Sequence, residues 1–192
     1  MSTLVLASTS PFRQQILHKL NIDFEVDSPD VNEQALENES PVELVKRLSK
    51  TKALAVSKRH PQALIIGSDQ VAVLNEQILG KPHTYDNAVK QLKAASGNRV
   101  EFLTGLCLYN SATQQAQIAC VPFTVHFRQL SDEQIERYLK HDQPYNSAGS
   151  FKSEGLGITL FEKLEGDDPN TLIGLPLIEL VRMLQKEGIE IP

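Results

Sequence analysis

Residues 64–82, LIIGSDQVAVLNEQILGKP, constrain the fold of this chain more than any other stretch. The apolar run Leu64–Ile66 is rich in β-branched side chains, which predicts a buried strand ending at Gly67. Asp69 then stands at a strand end. In α/β sheets ligands bind in the crevice beyond the strand ends, and a neighbouring glycine lets other atoms approach closely. The pattern therefore predicts that Asp69 faces a ligand.

A basic residue follows twelve positions later, where Lys81 stands between Gly80 and Pro82. The glycine permits an unusual backbone angle and the proline stiffens the chain, so we expect a shaped turn that presents the ammonium. The alternative is that Asp69 only caps a turn and Lys81 is solvated, as most Asp and Lys residues are. This stretch by itself leaves both interpretations open.

The length of 192 residues suits a single domain spanning 1–192 with a substantial core. Cys107 and Cys120 lie in apolar or strand-like surroundings and outside any zinc spacing, so we expect buried free thiols in a reducing cytoplasm. No basic leader precedes the first strand, and no apolar run approaches the roughly eighteen residues needed to span a bilayer.

The net charge is −5, from 19 Lys and Arg against 24 Asp and Glu. This balance argues against a general nucleic-acid or anionic-membrane partner. A polyanionic small-molecule substrate would need cations that are clustered locally.

A second candidate site lies at the first strand-to-helix turn. A strand is predicted at 4–7, and Ser8-Thr9-Ser10 leads into a helix with Ser10 as cap and proline at its first position. Backbone N–H groups at a helix start bind phosphate, and Arg13 could bind it bidentately. Ordinary capping explains the serines equally well, but not a cation in the first turn, where it opposes the helix dipole.

Two further charged residues are candidates on weaker grounds. Glu33, in the acidic loop DSPDVNEQALENES, could be a metal ligand or a solvated charge. Lys52 lies on a helix from a capping box at Ser40–Glu43 to about residue 58. Other basic residues share that helix and favour a solvated face: Lys46, Arg47, Lys50, Lys58 and Arg59.

The remaining pattern is that of an α/β protein. Thr84 caps a helix to Ala95, strands over 100–109 and 117–128 form a hairpin, and a capping box at Ser131 opens another helix. A glycine-rich loop with Lys152 and Glu154 precedes a strand predicted at 158–164. An amphipathic helix closes the chain.

Together these residues describe a polyphosphate site. Arg13, Lys52 and Lys81 would neutralise phosphate oxygens, and Asp69 with Glu33 could hold Mg²⁺ or Mn²⁺ through oxygen ligands. The Walker, dinucleotide-binding and nucleophile-elbow motifs are missing from the sequence.

Six short motifs, taken in order and spacing, resemble the Maf family of nucleoside triphosphate pyrophosphatases: LASTSPFR at 6–13, TKA at 51–53, GSDQ at 67–70, GKP at 80–82, SGN at 96–98 and GLPL at 174–177. The resemblance spans nearly the whole chain. It implies a Maf/Ham1 (ITPase-like) α/β fold with an elongated mixed sheet flanked by helices and a cleft between two lobes. It also implies a homodimer.

The resemblance also implies an activity, the cleavage of a nucleoside triphosphate between the α and β phosphates with a divalent metal. On that pattern Asp69 is the proton acceptor and a metal ligand, and Glu33 helps to hold the metal. The phosphate contacts would come from Ser8, Arg13, Lys52 and Lys81.

Three positions depart from the general pattern and agree with the YceF-like subfamily, which acts on 7-methyl-GTP. Phe12 stands where many members have arginine, Gln70 where many have threonine, and Glu154 where many have glutamine. These residues are associated with substrate choice. The first interpretation is therefore a house-cleaning or cap-nucleotide pyrophosphatase. The alternatives are an enzyme of the same family with the same chemistry on dTTP or UTP, and a nucleotide-sensing regulator of septum formation.

Overall fold

The computed structural model describes residues 3–191 as a mixed α/β fold. Its strands are β1 Thr3–Ala7, β2 Glu25–Asp27, β3 Ala63–Leu74, β4 Gln77–Leu79, β5 Arg99–Asn110, β6 Gln115–Phe127 and β7 Phe161–Glu165. Its helices are α1 Pro11–His18, α2 Pro41–Ser57, α3 Tyr85–Ala95, α4 Asp132–Asp142, α5 Asn170–Ile173 and α6 Leu177–Lys186. The seven strands form one sheet in the order β2-β1-β3-β5-β6-β7, with β4 paired to β3.

The chain divides into two compact units. The first comprises the residues up to Gln70, Thr104–Val121 and the residues from Asp168 onward, and the second comprises Val71–Leu103 and Pro122–Asp167. The polypeptide passes from one unit to the other within strands β3, β5 and β6, and again between Asp167 and Asp168, after β7. Across residues 3–191, none of the helices is long and apolar enough to cross a bilayer.

The core of the first unit surrounds the parallel strands β1 and β3. β1 pairs in parallel with both β2 and β3. Since successive side chains in a strand point to opposite faces, the two strands bury alternate residues against different helices. One face packs Leu6 and Ile66 with residues of α1 and α6, and the other packs Val5 and Ile65 with residues of α2.

Helix α2 lies directly against two glycines of the sheet. A Cβ atom at Gly67 would collide with the backbone carbonyl of Ser49, and one at Gly105 would collide with that of Val45. The prediction that the strand ends at Gly67 is therefore wrong. The glycine lies inside β3 because a helix packs against it, and Asp69 stands in the middle of a continuous strand.

The second unit has an aromatic core. The rings of Phe102, Phe127, Phe151 and Phe161 meet edge to face, with centroids 4.9 to 5.6 Å apart. The strand predicted at 158–164 begins later than expected, because 156–160 forms a 3₁₀ turn before β7. β7 then pairs antiparallel with β6.

The helix starts agree closely with the sequence. Ser10, Ser40, Thr84 and Ser131 each accept a hydrogen bond from a backbone N–H three residues later. Two of these caps are full capping boxes, and both had been predicted. Helix starts are predictable because a cap involves only neighbouring residues.

Candidate active site

The turn from β1 to α1 places two serines and an arginine together. The hydroxyl of Ser8 accepts a hydrogen bond from the N–H of Ser10 at 3.1 Å, and the Ser10 hydroxyl accepts from the N–H of Arg13 at 3.4 Å. Capping is thus confirmed for Ser10. Ser8 is buried and also lies 3.5 Å from Nη1 of Arg13. The turn therefore directs a guanidinium toward the end of β1.

The guanidinium of Arg13 is fixed by a residue from the far end of the chain. Its Nε donates to the carbonyl oxygen of Gly174 at 2.9 Å. The same carbonyl lies 2.9 Å from the Ser68 hydroxyl, next to Asp69 in β3. Gly174 adopts a φ of +119°, which favours glycine because it has no Cβ. One backbone carbonyl thus orients side chains from two elements.

At the centre of the site, Lys52 joins two carboxylates. Its Nζ lies 2.6 Å from Oδ1 of Asp69 and 2.7 Å from Oε1 of Glu33. Lys52 and Asp69 are only 6% and 7% exposed, whereas the Glu33 side chain is 55% exposed. The structure excludes the interpretation of Lys52 as part of a solvated face and of Asp69 as a turn cap.

The guanidinium of Arg13 interacts electrostatically with the same two carboxylates. Burial lowers the pKa of Arg13 below its ordinary value, while the negative charges of Asp69 and Glu33 act in the opposite direction. A guanidinium keeps its proton in proteins, so Arg13 is a permanent cation. Two cations and two carboxylates thus share this part of the first unit.

Two of the residues associated with substrate choice, Phe12 and Gln70, differ in how firmly their side chains are held. Phe12, in the first turn of α1, is 37% exposed. Gln70 is fixed, because its Nε2 donates to the Thr104 hydroxyl at 2.8 Å and to the Thr171 carbonyl at 2.7 Å. Gln70 therefore ties β3 to the short helix α5.

Lys81 and Glu154 belong to the second unit. Lys81 is exposed in the segment between β4 and α3. The unusual backbone angle expected at Gly80 is not found, because Gly80 is not among the residues with positive φ and a Cβ added to it would meet no atom within 4 Å. The loop that carries the exposed Glu154 is anchored through Lys152, whose N–H donates to the Tyr138 hydroxyl at 3.0 Å.

The two carboxylates on Lys52 suit a divalent cation only together with a substrate. Among residues 3–191, no group of three or more His, Cys, Asp or Glu side chains could hold a metal. Magnesium, however, is commonly bound by one or two carboxylates plus substrate phosphates. Because Asp69 and Glu33 contact the same nitrogen atom, they fit this second arrangement.

Several residues of the site carried no predicted role. Ser68 lies in the motif GSDQ and Gly174 in the motif GLPL, but their mutual contact joins positions 106 residues apart. Arg47 was interpreted as part of a solvated helix face. In the structure it binds Glu39 through Nε and Nη2, which a search for an acid near the start of α2 could have suggested.

Known structures share this fold. The Ham1 protein of Staphylococcus aureus superposes with a TM-score of 0.54 at 13% identity, covering 98% of this chain and 100% of that chain. A HAM1 protein from Coxiella burnetii gives a TM-score of 0.53 at 14% identity, covering 97% and 100%. These similarities define the class of the molecule, a Ham1-like α/β protein.

Sequence comparison then gives the family. Residues 3–187 match the family described as Maf-like protein, and the chain belongs to that family. A protein named 7-methyl-GTP pyrophosphatase from Alcanivorax borkumensis is 60% identical over 190 residues, which is 99% of this chain and 96% of the relative. Relatives of the same name from Colwellia psychrerythraea and Pseudomonas putida are 60% and 57% identical over 191 and 192 residues. The last two alignments cover this whole chain, 96% of the Colwellia relative and 100% of the Pseudomonas relative.

Proposed function

We propose that this chain is a nucleoside triphosphate pyrophosphatase that hydrolyses 7-methyl-GTP to 7-methyl-GMP and pyrophosphate. The observation that carries this proposal is the buried ion pair of Lys52 and Asp69, with Arg13 and Ser8 in the same unit. Full-length relatives with the name 7-methyl-GTP pyrophosphatase support it at 57–60% identity.

The proposed phosphate contacts follow from the donors that remain available. The Lys52 ammonium has three N–H donors, and Asp69 and Glu33 use two of them. Arg13 uses Nε for Gly174 and one N–H of Nη1 for Ser8, so the second N–H of Nη1 and both of Nη2 can bind phosphate oxygens. Ser8 adds a hydroxyl at the start of α1, and we assign a fourth contact to Lys81.

Asp69 is the proposed general base. Its Oδ1 is held by Lys52, and Oδ2 takes the proton of a water molecule that attacks the α phosphorus. The new bond joins the water oxygen to the α phosphorus, and the bond from that phosphorus to the oxygen bridging to the β phosphorus breaks. Pyrophosphate leaves with the electron pair of that bond. The cations Arg13, Lys52 and Lys81 stabilise the negative charge that develops.

A divalent cation, Mg²⁺ or Mn²⁺, belongs to this proposal. Glu33 and Asp69 would hold it, and it would neutralise phosphate charge and polarise the phosphorus–oxygen bonds. The buried thiol of Cys107 suits a reducing cytoplasm, where we place the protein. A single Maf-like domain over 1–192 and a homodimer stay predictions.

The preference for a methylated base has a physical reason. Methylation at N7 gives the guanine ring a positive charge that GTP and the pyrimidine nucleotides lack. An acidic Glu154 attracts that charge, and Phe12 replaces a repelling arginine with an aromatic ring, whose face attracts cations. Gln70 is the third proposed specificity residue, held in place by Thr104 and Thr171.

The deciding experiment is a panel of 7-methyl-GTP, GTP, dTTP and UTP assayed for pyrophosphate release with Mg²⁺ or Mn²⁺. The proposal requires many turnovers and the highest kcat/KM on 7-methyl-GTP. The highest kcat/KM on dTTP or UTP would assign the same chemistry to a different base. Tight nucleotide binding with negligible turnover would instead indicate a nucleotide-sensing regulator.

A further inference from the structure

The acidic loop that precedes α2 is fastened at two points, one to Arg59, which follows the end of α2, and one to Arg47 within α2. Near its start, Arg59 donates to both carboxylate oxygens of Asp27 and to the carbonyl of Ser28, each at 2.8 Å. Near its end, Arg47 contacts Glu39 and Gln34 in the same manner. These two arginine clamps use the same chemistry at different distances from Glu33.

The clamp at Arg47 lies next to the site. Its Nε and Nη2 bind the two carboxylate oxygens of Glu39 at 2.5 and 2.8 Å, and Nη2 also donates to the carbonyl of Gln34 at 3.0 Å. Glu39 in turn accepts from the N–H of Leu36 at 3.0 Å. The loop from Gln34 to Glu39 is therefore closed on itself and held against α2.

Glu33 immediately precedes the residue whose carbonyl Arg47 holds. Its side chain is half exposed, so packing alone does not fix its carboxylate on Lys52. Arg47 fixes the backbone on the C-terminal side of Glu33 by its hydrogen bond to the Gln34 carbonyl. The N–H of Gln34 donates a hydrogen bond to the Asn32 side chain at 3.0 Å, which also holds the backbone around Glu33. The hydrogen bonds of its neighbours thus hold the backbone from which the Glu33 carboxylate reaches Lys52.

Two properties separate this clamp from an ordinary surface ion pair. The Glu39 side chain is 7% exposed, and the pair is bidentate, which restricts its geometry. The hydrogen bond with Glu39 raises the pKa of Arg47, and the negative charge of Asp69 raises it further. Arg47 therefore interacts electrostatically with Asp69, the central carboxylate of the candidate active site.

We infer that Arg47 is a positioning residue, which sets the Glu33 carboxylate beside Lys52 and Asp69 through its hydrogen bonds to Glu39 and Gln34. This inference rests on the proposed function, because Glu33 contributes to turnover only if the site binds a triphosphate and a divalent cation. Arg47 itself touches neither substrate nor cation. Groups that orient ligand-binding side chains typically change activity by roughly 10- to 100-fold when they are removed.

The test is a double-mutant cycle between Arg47 and Glu33. Arg47→Met should lower kcat/KM for 7-methyl-GTP by roughly 10- to 100-fold and speed amide exchange at Gln34 and Leu36. In a Glu33→Gln background the same change should have no further effect on kcat/KM, because the group being positioned is already lost. Equal losses in both backgrounds would overturn the inference.

Arg59→Met is the matched control. It removes the same kind of fork and carbonyl contact from a residue just after the end of α2. The carbonyl that Arg59 holds, that of Ser28, lies five residues before Glu33, so kcat/KM should stay near that of the wild type. A loss as large as that of Arg47→Met would assign the effect to loop closure in general and overturn the specific role. Arg47→Lys keeps the charge, and should still lose activity because an ammonium cannot form the fork.

The cycle is repeated on equilibrium binding of inorganic tripolyphosphate with Mg²⁺, which needs no turnover. Arg47→Met should weaken this binding only where Glu33 is present, and an equal change in both backgrounds, or none in either, would again refute the positioning role. A wild type without pyrophosphate release from any nucleotide refutes the proposed function. If the wild type is active and the effects of the Arg47 and Glu33 substitutions are additive, only the role of Arg47 is refuted.

Discussion

Lys52 Nζ lies 2.6 Å from Oδ1 of Asp69, and both side chains are almost completely buried. Asp69→Asn keeps the shape of the side chain and removes its charge. General-base catalysis is typically worth about 10²- to 10⁴-fold, so turnover on 7-methyl-GTP should fall by at least that factor. Measuring kcat together with the thermal midpoint separates lost chemistry from lost folding.

Asp132→Asn provides the control for this variant. Asp132 also pairs with a lysine, Lys93 at 2.9 Å, but both partners are exposed. Its kcat should match that of the wild type. Asp69→Asn with near-normal turnover would remove Asp69 from the mechanism.

Lys52→Ala should lower kcat/KM on every nucleoside triphosphate by the same factor, because phosphate contacts carry no information about the base. The expected loss is roughly tenfold or more, since a charge-assisted hydrogen bond contributes about 1.5–3 kcal/mol. Lys46→Ala removes an exposed lysine from the same helix and should have no effect. If Lys52→Ala leaves kcat/KM untouched, Lys52 only neutralises the two carboxylates.

Substrate choice is tested with Glu154→Gln and Phe12→Arg, measured on 7-methyl-GTP and GTP. Both should reduce the preference for the methylated substrate, mainly by losses on that substrate. A cation over an aromatic ring contributes about 0.5–2 kcal/mol, so removing Phe12 corresponds to a change of up to roughly thirtyfold. Glu162→Gln, at another exposed acid of the second unit, should keep the wild-type ratio. An unchanged ratio in both test variants means that ring charge does not decide selectivity.

Glu39 gives the protein a pH-dependent stability. Hydrogen bonds from Arg47 and from the N–H of Leu36 lower the pKa of Glu39 from 4.5 to about 2. The folded state therefore favours the carboxylate, and this stabilisation is complete above pH 4.5 and is lost as the pH falls toward 2. Glu39→Gln should be less stable than the wild type at neutral pH, with a difference that narrows across this range.

Urea unfolding at a series of pH values measures that difference. Glu37→Gln changes an exposed acid in the same loop, whose carboxylate makes no hydrogen bond within residues 3–191, and should behave as the wild type. If the difference in the free energy of unfolding between Glu39→Gln and the wild type stays constant over these pH values, the predicted role of the carboxylate is contradicted.

The close approach of α2 to the sheet predicts a contrast between two glycines. Gly67→Ala places a methyl group against the Ser49 carbonyl and should destabilise the fold by about 1–3 kcal/mol. Gly80→Ala adds a methyl group in open space and should stay within about 0.5 kcal/mol of the wild type. Chemical denaturation of both variants measures the difference, and equal stabilities would contradict the packing.

The features that could be predicted from the sequence are mostly local. Ser10 and Ser40 identify helix starts because each cap involves residues only three positions apart. The apolar run Leu64–Ile66 likewise identified a buried strand. Its end could not be predicted, since Gly67 breaks the local pattern for a reason that lies in another element, helix α2.

The sequence predicted which residues form the candidate site, but not how they contact one another. The charge types of Arg13, Lys52 and Asp69 suggested polyphosphate chemistry, but the burial of Lys52 depends on how α2 packs on the sheet. Arg47 and Arg59 looked like solvated residues of a basic helix. Their acidic partners lie 8 and 32 positions away, and such separations are invisible in a helical pattern.

The carbonyl of Gly174 has a consequence for how the protein is made. It accepts from Arg13, 161 positions earlier, and lies within hydrogen-bonding distance of Ser68, 106 positions earlier. A chain growing on the ribosome meets Arg13 at the start and Gly174 near the end, so no nascent chain short of that glycine can orient both side chains. Premature termination should therefore yield inert fragments and not partly active ones.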